Sequence, residues 1–161
     1  MTARSRAAVV ALFTLIVSIA AAGAPVAHAD ADPPSDVLFQ QDIYLPYGPK
    51  PQAVLVTKLR GAVAATKGAH RPVKVALIAS RLDLGGVPTL FGKPTLYARF
   101  LGAELQFVFH GTLLVVMPQG FGVSRGGREL RSAEASARSV RIEQGPDGLA
   151  RAAIAALHRL R

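Results

Sequence analysis

The chain has 161 residues, no cysteine and a formal charge of +9, from 19 Lys and Arg against 10 Asp and Glu. Without cysteine there are no disulfide staples, no thiolate nucleophile, no cysteine-ligated zinc and no lipid-modified cysteine. The positive charge suits an anionic partner, but the basic residues are spread along the sequence with no aromatic-interleaved patch or base-reading motif, so nucleic acid is not expected.

The first 29 residues read as a secretory signal peptide. Arg4 and Arg6 supply a positive start, Ala7 to Ala22 is apolar apart from Thr14 and Ser18, and Gly23 and Pro25 then break any helix. Ala27-His28-Ala29 offers a small-x-small cleavage site before Asp30. At ~1.5 Å per residue the apolar run falls short of a ~30 Å hydrocarbon core, which favours cleavage over a retained anchor. Cleavage takes the 19 basic residues to 17 and leaves the 10 acidic ones, a charge of +7 on an extracytoplasmic domain, secreted or held at the cell envelope, with no transmembrane helix.

From Asp30 to Pro51 the sequence is rich in Pro, Asp and Tyr and has no sustained periodicity, which predicts an extended lead-in. Residues 52 to 161 then read as a single α/β domain without repeats. Val56, Leu59 and Val63 place an amphipathic helix over Gln52 to Lys67, ended by Gly68. Val73 to Ala79 (VKVALIA) is an apolar, branched run, the pattern of a strand covered on both faces. A loop follows from Arg81 to Pro88. Pro94 opens a second helix reaching about Phe107, with Leu96, Phe100, Leu101 and Leu105 as its stripe. Thr112 to Met117 (TLLVVM) is a second buried strand. Strand, helix and strand over this length predict a parallel βαβ unit. Gln119 to Gly127 reads as a glycine-rich loop, Arg128 to Arg138 as a polar helix, Ser139 to Glu143 as a short edge strand and Gly148 to Arg161 as a closing helix. The expected fold is a small αβα sandwich with a short, partly parallel sheet and helices on both faces.

Ligands of parallel sheets bind beyond the carboxyl ends of the strands. Two loops meet that description, which makes Asp83, Gly85, Gly86, Gln119, Gly120, Gly122 and Arg125 the candidate crevice residues. The glycines would let amides approach a phosphate and Arg125 would pair with its charge. Their spacing matches neither the dinucleotide fingerprint nor a Walker loop, which favours a flexible surface loop. Asp83, before Leu84-Gly85-Gly86, fits a metal ligand or general base, and also a turn-former using its own side chain. No His-x-x-x-His pair suggests a metal site, no Gly-x-Ser-x-Gly elbow is present, and no cofactor is implied.

The order of segments resembles the TPM domain of exported and membrane-attached bacterial proteins and of thylakoid proteins. The likeness is carried by VKVALIA, by Leu96-Tyr97-Ala98 and by GTLLVVMPQGFG, from about Gln52 to Gly122, with Gly148 to Leu160 similar to that family's last helix. DLGGVPTLFGKPTLYARFLG with LLVVMPQGFG is similar to a group of exported actinobacterial proteins. The resemblance implies an αβα sandwich at the cell envelope, with acid phosphatase activity in some members and assembly or repair of membrane complexes in others. Gly111, Gly120 and Gly122 match as structural positions. The family's acidic residues before the second strand and after the Gly-aromatic-Gly turn are replaced by Phe109-His110 and Val123-Ser124. The expected role is therefore a non-catalytic binding or assembly module, for an envelope protein or an anionic surface polymer. A phosphoester hydrolase and a small-ligand carrier are the alternatives.

Overall fold

The computed structural model describes residues 32 to 160; the expected signal peptide and its Ala29–Asp30 cleavage site lie outside them. In chain order the elements are Pro33–Gln40 (α1), Ile43–Tyr44 (β1), Ala53–Gly68 (α2), Val73–Leu77 (β2), Pro94–Glu104 (α3), Thr112–Met117 (β3), Gly120–Arg125 (β4), Arg128–Glu129 (β5), Arg131–Arg138 (α4) and Gly145–Arg159 (α5). Short 3-10 turns occupy Arg81–Leu84, Pro88–Leu90 and Leu105–Phe107. The strands form one sheet in sequence order, parallel from β1 through β3 and antiparallel from β3 through β5.

All five residues of β2 are buried, as are the last five of β3, because helices cover both faces. The register pairs Val75 with Leu114 and Ala76 with Val115, so the alternation of the two strands runs in phase. Val73, Val75, Leu77, Leu114 and Val116 face α2 and α5, meeting Leu59, Val63, Leu149 and Ala153. Ala76, Ile78, Leu113, Val115 and Met117 face α1 and α3, meeting Leu38, Tyr97, Leu101 and Leu105. The fold is thus the expected αβα sandwich, and the helix between β2 and β3 makes the parallel βαβ unit.

Four local expectations are corrected. The segment expected to be an extended lead-in contains α1 and β1, and β1 pairs with β2. Its regular structure comes from tertiary partners: Leu38 is fully buried, and the Lys74 ammonium donates to the carbonyls of Leu38 and Gln41, both at 2.6 Å. The expected glycine-rich loop from Gln119 to Gly127 is mostly strand β4. Only Gly126 and Gly127 turn, both with positive φ, as a two-residue hairpin into β5 requires. Gly122 sits inside β4 because a Cβ there would overlap the Pro94 carbonyl, where the first turn of α3 crosses the strand. Third, the polar helix starts at Arg131, because Arg128 and Glu129 form β5. Ser139 to Glu143 is not a strand: β5 already closes that edge, and Val140 and Ile142 pack as irregular chain on the core.

Candidate functional site

The crevice expected beyond the carboxyl ends of β2 and β3 does not gather its candidates. Asp83 is 1 % exposed and its carboxylate is held by backbone amides. Oδ2 accepts from the amides of Ala79 (2.9 Å) and Ser80 (2.8 Å), and Oδ1 accepts from that of Tyr47 (2.7 Å). The Asp83 side chain thereby ties the turn after β2 to the chain after β1, the turn-forming alternative of its sequence context. Gly85 ends the 3-10 turn at φ 47 and Gly86 continues it. The segment after β2 meets Gln119 at Gly92 instead, where a Cβ would lie 3.7 Å from the Gln119 amide carbon. Gln119 and Gly120 line a cleft of about 510 Å³ with Thr95 and Arg138, apart from Asp83. Arg138 there is ion-paired with the buried Glu134, which also accepts from the Thr95 hydroxyl at 2.6 Å.

Arg125 lies at the opposite end of the sheet. Strand β4 runs back against β3, pairing Met117 with Gly120 and Leu113 with Ser124, so Arg125 arrives where β3 begins. Its guanidinium donates to the Thr112 hydroxyl at 3.0 Å. Asp83 and Arg125 therefore share no site, and Gly122 lies between them against α3.

The end of the sheet where β2 and β3 begin carries a different constellation. Val73 pairs with Thr112, which sets Arg71 and His110, each two residues earlier, side by side. Together with Lys67, His70, Lys74, Asp42 and Arg125 they line an open groove of about 710 Å³, floored by Pro72, Phe109 and Gly111. The one carboxylate is already engaged: Asp42 lies 3.0 Å from the Lys67 ammonium and 3.5 Å from that of Lys74. Burial lowers the pKa of Lys74 from the usual lysine value, and Asp42 works against that fall. The Lys74 ammonium also stands 5.3 Å from the Phe109 ring centroid. His70, Arg71, His110 and Arg125 are exposed. His70 has φ 56, a left-handed conformation that glycine would take more cheaply at this helix end. Arg71 and Arg125 also border a cavity of about 270 Å³ beneath the groove, between the ends of α2 and α5.

No motif in the sequence joins His70 and Arg71 to His110 and Arg125, which are far apart along the chain. The signal was present: two parallel strands must bring their preceding residues together, and both are preceded by basic residues. A further groove of about 720 Å³ follows the free edge of β1, lined in part by Tyr47, Lys50, Arg60 and Lys67. On the α1 face the Tyr97 hydroxyl donates to the Asp32 carboxylate, 2.7 and 2.9 Å from its two oxygens. Burial raises the Asp32 pKa to about 7 in spite of that bond, and raises that of nearby Glu104 as well. Among the described residues no three His, Asp or Glu side chains gather as a metal-ligand set, and no helix is long and apolar enough to cross a membrane. Comparison with family models, curated proteins and solved structures finds no match to this chain.

Proposed function

We propose that this chain is an exported, TPM-like domain of the cell envelope that acts as a non-catalytic binding module for an anionic surface. Export and envelope location rest on the Arg4/Arg6, Ala7 to Ala22 and Ala27-His28-Ala29 pattern, and the family likeness rests on VKVALIA and GTLLVVMPQGFG. The observation that carries the binding role is the basic groove where β2 and β3 begin. There Arg71, Arg125, His70 and His110 face solvent, and the single acid is occupied by two lysines. Exposed guanidinium groups are suited to phosphate or carboxylate oxygens through paired N–H donors. The phosphoester-hydrolase alternative required Asp83 and Arg125 at one crevice; they lie at opposite ends of the sheet, and the Asp83 oxygens accept from amides.

The test is titration of the released protein with soluble poly(glycerol phosphate) at several salt concentrations. The expected result is binding that weakens as salt rises and falls by roughly fivefold for each of Arg71→Gln and Arg125→Gln, the scale of a charge-assisted contact near a surface. Binding indifferent to both substitutions would refute the assignment of the groove. Phosphomonoester turnover that Asp83→Asn abolishes without loss of fold would favour the hydrolase.

A further inference from the structure

We propose that the groove end of the molecule docks on an anionic lipid bilayer, with Phe107 entering the interface while Arg71 and Arg125 contact lipid phosphates. This rests on the anionic-surface reading above and names the surface. The chain leaves α3 through the Leu105–Phe107 turn, which is anchored by buried Leu105 and leaves Phe107 84 % exposed. Val108 is 46 % exposed, and Val108, Phe109 and His110 then line the basic groove. An apolar protrusion and a phosphate-seeking groove are therefore contiguous in the chain. Helix α1 packs against the same turn and carries Phe39, 55 % exposed, near its end.

A soluble polyanion would engage the arginines and leave these phenylalanines in water. A bilayer interface accepts both, since apolar side chains enter the acyl boundary while basic ones meet headgroup phosphates. The groove's own acid does not oppose this, because Asp42 is held between Lys67 and Lys74. Lys74 is buried under the groove and serves α1, and Lys67 is paired with Asp42, so the lipid contacts fall to the exposed Arg71 and Arg125.

The experiment is co-sedimentation of the released protein with vesicles of phosphatidylcholine alone, or mixed in equal parts with phosphatidylglycerol, at low and high salt. Poly(glycerol phosphate) binding is measured in parallel. The expected outcome is salt-sensitive binding to the phosphatidylglycerol vesicles and little to the neutral ones. Phe107→Ser should lower vesicle partitioning by about tenfold, the scale of burying one aromatic side chain, and leave polymer binding unchanged. The double variant Arg71→Gln/Arg125→Gln should lower both. Each altered side chain is exposed, so unchanged melting temperatures check that the fold is intact. Polymer binding without vesicle binding, or vesicle binding indifferent to Phe107→Ser, overturns bilayer docking and leaves the anionic-surface reading standing. Binding to neither overturns both, and equal binding to neutral vesicles overturns the role of the basic groove.

Discussion

Replacing Asp83 with Asn should damage stability and spare binding. The carboxylate is 1 % exposed and its two oxygens divide three amide donors, Ala79 and Ser80 on one and Tyr47 on the other. An Asn side chain has one oxygen and one NH2 group. In its better orientation the oxygen keeps Ala79 and Ser80, and the NH2 group faces the Tyr47 amide, donor against donor. The variant therefore loses a hydrogen bond to a charged acceptor, about 1.5–3 kcal/mol, weakens two more, and leaves a donor partly buried without a partner. A net loss of about 3 kcal/mol follows, which in a domain of this size lowers the melting temperature by roughly 10 °C. Thermal unfolding followed by circular dichroism, with urea titration for the free energy, measures it. The groove lies at the far end of the sheet, so affinity for poly(glycerol phosphate) below the transition should not change. A melting temperature within about 2 °C of the parent would refute the account of Asp83 as the tie between the β1 and β2 exits.

Two further outcomes follow from the packing and from Asp32. Gly122→Ala places a methyl group on the Pro94 carbonyl and 2.8 Å from the Thr95 nitrogen, so α3 must retreat from β4; a loss of about 3 kcal/mol in urea unfolding is expected, and a neutral substitution would contradict the close crossing. Asp32 has a folded pKa of about 7 against a usual 3.8, so between those values the folded state holds a proton that the unfolded state releases. Stability should therefore be highest below pH 4 as far as this group is concerned, and fall by about 3 kcal/mol as pH rises to about 7. Glu104, also raised by burial, acts in the same direction. Urea midpoints from pH 4 to 8 check this, with Asp32→Asn expected to flatten most of the slope.

The central layer of the fold was legible because its signals are local and strong. TLLVVM is a strand at the expected bounds, VKVALIA contains another, and the helix over Gln52 to Lys67 differs from α2 by one residue at each end. What was lost depends on partners distant in sequence. Asp32, Pro33 and Asp36 are the local start signals of the helix over Pro33 to Gln40, but it is only eight residues long and its last carbonyls are satisfied by a lysine from β2. Glycines at 120 and 122 suggest a loop because strand propensity penalises glycine, whereas the close passage of α3 requires it at 122 and a φ of 146 favours it at 120. That one error displaced the candidate site. With β4 read as a loop, Arg125 stood beside Gln119; with β4 as a strand, it travels the length of the sheet and joins Arg71 and His110.

The basic charge at that end has two origins, which predict different things. Helices α2 and α5 run parallel: the Gln52 amide donates to Asp147 at 2.8 Å near their starts, and Ala69 and Leu160 line one cavity at their ends. Both helices therefore present their negative dipole ends beside the groove. Lys67, in the last turn of α2, and His158 and Arg159, in the last turn of α5, are the cations such ends favour. Their presence would be expected in a domain that binds nothing. Arg71, His110 and Arg125 have no such explanation, since they precede β2 and β3 or end β4, and the groove's acid, Asp42, pairs with Lys67 and Lys74 and not with them. If the groove is only a by-product of helix ends, removing Lys67 should affect anion binding as much as removing Arg71 or Arg125. If it is a site built by strand register, Arg71 and Arg125 should dominate. Lys67→Gln should then cost little beyond the ion pair it makes with Asp42, less than about 1 kcal/mol for so exposed a pair.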